Sequence, residues 1–168
     1  MNNWILRLLQ TEAGKRLQLQ LLMNLAAKAT GQKSRCISVM SSDKALDTFA
    51  HFTAGCLPKA AGQQEQLYTE AYKLGSLLRK ILRISTDEQL TRTVILLYRN
   101  IGIDMQGDLP GEVCVSHCFF SRYYSPEVCY IASMMDAGVI CGLANGGKLE
   151  FTQRITEGCE NCKAKLIK

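Results

Sequence analysis

Eight cysteines, at positions 36, 56, 114, 118, 129, 141, 159 and 162, give this 168-residue sequence its widest chemical range. A thiol can act as a nucleophile, a metal ligand, a redox partner or a small apolar core residue. In VCVSHCFF, Cys114, His117 and Cys118 read as a ligand cluster. Strand alternation sets 114 and 118 on one face and His117 on the other, so His117 does not complete a site with them and is read as packed or solvent-facing. Cys159-Glu160-Asn161-Cys162 has CxxC spacing. A redox dithiol of that spacing belongs at a helix start, whereas this pair follows Gly158 and enters a strand. A zinc ion needs two further ligands, for which Cys118 or Cys129 is available.

The segment after Ser125-Pro126-Glu127 carries a second constellation. Serine as cap, proline at the first helical position and an acid in the first turn start a helix there. Cys129, Ser133 and Asp136, spaced by four and three, then share one face. A carboxylate on a buried face needs a partner, a ligand or a catalytic task. A first-turn thiol is acidified by the helix dipole, so Cys129 reads as partly thiolate. The alternative is a small core cysteine beside an exposed Asp136.

The elements that must position these side chains fall into two halves, and the fold class is α+β. Helical spacing runs from Trp4 through Leu9 and, after Thr11, from Leu17 to Gly31. A second helix is capped at Ser42 and Asp43 and ends before Pro58. A third runs from about Gln63 to Leu82 with Leu67, Ala71, Leu74, Leu77, Leu78 and Ile81 on one face, and Thr86 with Gln89 forms a capping box for a fourth. Positions 104–111 read as a loop, VCVSHCFF as a strand, the Pro126 helix as ending near Cys141 and Gly142, and Lys148–Ile155 and Asn161–Ile167 as strands closing a small antiparallel sheet. Residues 1–30 read as a helical arm whose apolar face a homodimer would cover, and 31–168 as one domain, with its helical part at 42–102 and its sheet and site at 112–168.

Composition narrows the class. With 20 basic and 15 acidic residues the charge is +5. That imbalance lacks the dense basic face of a nucleic-acid binder and suits a small anionic ligand. Arg7, Glu12, Lys15 and Arg16 interrupt the apolar N-terminus, so it reads as neither a signal peptide nor a membrane span. A cytoplasmic location with reduced thiols follows, and no membrane partner is expected.

The order Cys118, Cys129, Asp136, then a strand with Phe151 and Arg154, then Gly158 and Cys162 in GCENCKAKL, resembles the L-2-amino-thiazoline-4-carboxylic acid hydrolase family, itself similar to the four-vinyl-reductase-like, hydrocarbon-binding domains. The resemblance covers about residues 63 to 168. It departs where Phe119 replaces a proline after the first cysteine and Ala164 replaces an aromatic after the last. It implies a cavity between helices and sheet and hydrolytic opening of a cyclic C=N bond. Cys118 or Cys129 would be thiolate nucleophile or metal ligand, Asp136 acid/base or ligand, Cys162 the third member, and Arg154 the partner of a substrate carboxylate. The competing implication is a non-catalytic binding or sensor domain holding a small molecule, with a structural zinc on Cys129, Asp136, Cys159 and Cys162.

Overall fold

The structure, a computed structural model, describes residues 3–60 and 62–168. Six helices and a four-stranded antiparallel sheet make an α+β fold: α1 Asn3–Leu9, α2 Glu12–Ala29, α3 Ser42–Cys56, α4 Gln64–Leu82, α5 Asp87–Asn100, β1 Ile103–Gly107, β2 Gly111–Cys118, α6 Pro126–Ala144, β3 Lys148–Gln153 and β4 Cys162–Ile167. The sheet order is β1-β2-β4-β3. Residues 32–37 form no strand and serve as the connection between α2 and α3.

Helix α1 ends because Thr11 caps α2, its Oγ1 accepting the Gly14 N–H at 3.1 Å. A Cβ on Gly14 would stand 2.1 Å from the Leu8 carbonyl oxygen, so the corner closes only on glycine. Residues 3–30 do not stand apart as an arm; the first two positions of the expected arm lie outside the described residues. Leu19, Met23 and Ala26 are fully buried in the core shared with α4, α5 and α6. Asn100 Nδ2 donates to the Leu9 carbonyl and to Gln18 Oε1, and Gln18 Nε2 donates to the Leu97 carbonyl, tying the segment to α5.

Three other elements differ from the sequence expectation. β1 occupies much of the expected loop; Ile103 and Met105 turn into the core while Asp104 and Gln106 face out, an alternation too short to outweigh the glycines around it. In α4, Leu77 is exposed, because Gly75 rather than Leu77 faces α6. Helix α5 is capped as expected by Thr86 Oγ1 accepting from Gln89 N–H, but the Gln89 side chain accepts from Ser85 N–H and not from Thr86.

Helix α6 is the spine of the molecule. Ser125 caps it, Pro126 opens it, and it runs past the expected stop at Gly142 to Ala144, where Asn145 takes a left-handed turn. Gly142 serves another purpose. A Cβ there would meet the Tyr72 carbonyl oxygen at 2.3 Å and Gly75 Cα at 3.0 Å, and one on Gly138 would meet the Tyr68 carbonyl oxygen at 2.5 Å. Gly75, Gly138 and Gly142 thus let α4 and α6 touch backbone to backbone. Length and composition alone would let α6 cross a membrane, but 67% of that stretch is buried inside the protein, which accounts for its apolar character.

Candidate functional site

Two one-residue bulges decide which side chains face the interior. On β2, Cys118 pairs with Ile103 and His117 with Asp104, but Val115 pairs with Met105, leaving Ser116 as the extra residue. Directly paired residues share a face of the sheet, so the bulge brings both Val115 and Cys118 inward. Cys114, opposite Lys163, faces out. The expectation that 114 and 118 share a face is therefore corrected, although His117 does turn outward, exposed, 3.8 Å from Asp104.

The second bulge lies in β3, where Phe151 pairs with Ala164 and Gln153 with Lys163. It reverses Arg154, which does not point with Glu150. Its side chain is only 11% exposed, its guanidinium lies 4.9 Å from the Phe151 ring centre and 5.5 Å from that of Tyr130, and its Nε donates to Ser133 Oγ at 3.4 Å. Glu150 pairs with Lys148 instead.

These inward faces, with α6 and the helical layer, enclose a cavity of about 280 Å³. Much of its lining is apolar: Ile5, Leu9 and Leu22 from α1 and α2, Leu74 and Leu78 from α4, and Leu97 from α5. Leu8, Leu17 and Leu21 line it and are also exposed, so it reaches solvent beside α1 and α2. Cys118, Cys129, Asp136, Thr156 and Cys162 all line it as well. Cys159 and Arg154 do not.

Asp136 dominates the polar groups. Tyr98 Oη donates to its Oδ1 at 2.9 Å. Burial pushes the Asp136 carboxyl up to about 6, against the pull of the Tyr98 hydrogen bond and the Arg154 charge. Asp136 is half-buried and lines the cavity, so its carboxyl is open to a molecule bound there. Its charge in turn raises Cys118, Cys129 and Cys162, which line the same cavity. In the sequence Tyr98 falls on the apolar stripe of α5 with Leu90, Val94 and Leu97. The signal available was its hydroxyl, which at the end of a buried stripe must find a partner.

The sign of the Asp136 shift sets a pH dependence. The folded state holds this proton more tightly than the unfolded chain, whose aspartate titrates near 3.8. Its contribution to stability is complete below that value and is lost as pH rises through about 6, a change on the order of 3 kcal/mol. The stability of wild type relative to Asp136→Asn is expected to fall by about that amount between pH 4 and pH 7 in urea titrations. A flat difference would mean a solvated carboxyl.

The thiols are not preactivated. Burial is the largest influence on each, pushing Cys118 up to about 12 and raising Cys129 and Cys162. At Cys129 desolvation outweighs the helix dipole, correcting the expected partial thiolate. With a pKa near 12, Cys118 carries on the order of 10⁻⁴ thiolate at pH 8. A disulfide reagent at that pH is expected to modify exposed Cys36 first and the three cavity thiols only on unfolding, as mapped by mass spectrometry. Early labelling of Cys118 or Cys129 would contradict this.

Nor do the residues fit a zinc ion. Among the described residues no group of three or more histidine, cysteine, aspartate or glutamate side chains is placed to hold a metal. Cys162 Sγ accepts the Ile155 N–H at 3.3 Å, and its CxxC partner Cys159 lies off the cavity. One polar atom is left over. Thr156 Oγ1 is buried next to the Cys129 thiol, whose pKa it lowers, and has no hydrogen-bond partner of good geometry among the described residues.

Compared with known proteins, the chain matches no family model, no curated protein and no solved structure.

Proposed function

We propose that this protein binds a small, largely apolar molecule in the cavity, with the molecule's polar group at the Asp136–Tyr98 end. The observation that carries the reading is the cavity itself, about 280 Å³ of space in the core of a small domain. Protein interiors are close-packed, and an unfilled space of this size forgoes stability on the order of several kcal/mol. Apolar walls with polar groups gathered at one place are the usual form of a ligand site. Titration calorimetry with 1-decanol is expected to give saturable binding of one molecule per chain with a negative heat-capacity change. The reading fails if decanol and neutral aromatic compounds of similar size all fail to saturate.

A second reading is hydrolysis of a cyclic C=N bond, as the resemblance to the amino-thiazoline carboxylate hydrolases implies. Its support is the Asp136 carboxyl, which near 6 can both take and give a proton at neutral pH. Asp136 would accept the proton of Cys118, Cys129 or Cys162 as the sulfur adds to the C=N carbon and pass it to the ring nitrogen, whose bond to that carbon then breaks; water attacking the same carbon would displace the thiol and regenerate it. Against it stands the substrate's carboxylate, which meets no cation among the described lining residues. Loss of the ring absorbance of 2-amino-thiazoline-4-carboxylate, abolished by Asp136→Asn, is the result this reading requires.

A further inference from the structure

The lining of the cavity is one-sided in charge. Among the described residues Asp136 is its only carboxylate, and no lysine, arginine or histidine lines it. The nearest cation acting on Asp136 is Arg154, and its guanidinium is already engaged with Ser133 Oγ, Glu157 and the Phe151 and Tyr130 rings. Tyr98 donates to Oδ1, and among the described residues no side chain donates to Oδ2. A buried carboxylate with an open oxygen is costly unless something brought into the site pairs with it. Thr156 Oγ1, also in the lining, has only the Cys129 thiol next to it and no hydrogen bond of good geometry among the described residues.

We propose that the ligand is a cation: an apolar amine or amidine whose protonated nitrogen pairs with Asp136 while its hydrocarbon part fills the leucine-walled length of the cavity. This rests on the cavity being a ligand site and names the class of molecule it takes. Charge-assisted hydrogen bonds are about twice as strong as neutral ones, and a dry site strengthens them further. An anionic head group would face Asp136 with no compensating cation. The protein's overall charge of +5 works the other way, favouring anions at the surface, so a preference for cations must come from the site.

The test is a matched series, decylamine, 1-decanol and decanoate, titrated below their micellar concentrations at pH 7.5. Decylamine is expected to bind about tenfold or more tighter than decanol, and decanoate weakest. In Asp136→Asn the ratio of amine to alcohol affinity is expected to fall to about one. Should that variant not fold, wild type at pH 5 supplies the same comparison, because protonated Asp136 loses the preference. Equal affinity for amine and alcohol at pH 7.5, or an unchanged ratio in the variant, overturns the cation proposal and leaves the cavity reading standing. Failure of all three to bind overturns both.

Discussion

Gly142→Ala is expected to destabilise the protein by about 3 kcal/mol, at the upper end of the range for overpacking. A methyl group there would stand 2.3 Å from the Tyr72 carbonyl oxygen, 2.8 Å from Ser76 N and 3.0 Å from Gly75 Cα. All three are backbone atoms, so no side chain can swing aside and the α4–α6 pair must separate. The helix propensity gained by alanine, about 1 kcal/mol, offsets only part of this. Thermal unfolding is expected to fall by about 6 to 12 °C for a chain of this size. Gly55→Ala is the internal control. Gly55 lies exposed in α3 with nothing within 4 Å of an added Cβ, so the same change there is expected to stabilise by about 0.5–1 kcal/mol. Equal effects at the two sites would mean that α4 and α6 are not in backbone contact.

Ala132→Phe is expected to weaken decanol binding at least about 30-fold, because the ring would occupy the space the ligand uses. Ala132 lines the cavity one helical turn before Asp136. The same ring gains contacts with walls that otherwise face empty space, so the variant is expected to be as stable as wild type or more stable, by up to about 2 kcal/mol. Calorimetry and urea unfolding read the two effects separately. Undiminished binding would place the ligand elsewhere, and a marked loss of stability would show that the space is already filled.

The helical layer was legible in the sequence because its signals are local. Thr11, Thr86, Ser125 and Pro126 are caps and first-turn residues, and each marks a helix start within a residue or two. The α+β class followed from the change of period after Gly102. The site was legible only as a set of residues. Cys118, Cys129, Asp136 and Cys162 do come to one cavity, but their states could not be read. A bulge leaves no composition signature at Ser116 or Thr152, and each inserts one residue into an alternating pattern, reversing every later side chain in its strand. That is why plain alternation sets Cys114 with Cys118, and would set Arg154 with Glu150. The Cys129 error was one of magnitude, since the helix dipole is visible in sequence while the burial that outweighs it depends on α4, α5 and the sheet. The glycines of α4 and α6 illustrate the same limit. Gly142 looks like a helix stop until Gly75 is seen against it.

The central claim is that the interior cavity, rather than an exposed apolar surface, holds the ligand. Methyl-resolved NMR during a decylamine titration tests it most directly. The Met135 and Leu78 methyl signals, whose side chains line the cavity, are expected to shift in a saturable way with one common affinity, while Met40, which does not line it, stays fixed. Shifts confined to the exposed methyls of Leu77 and Val39, or no saturable shift at Met135 and Leu78, would contradict the account.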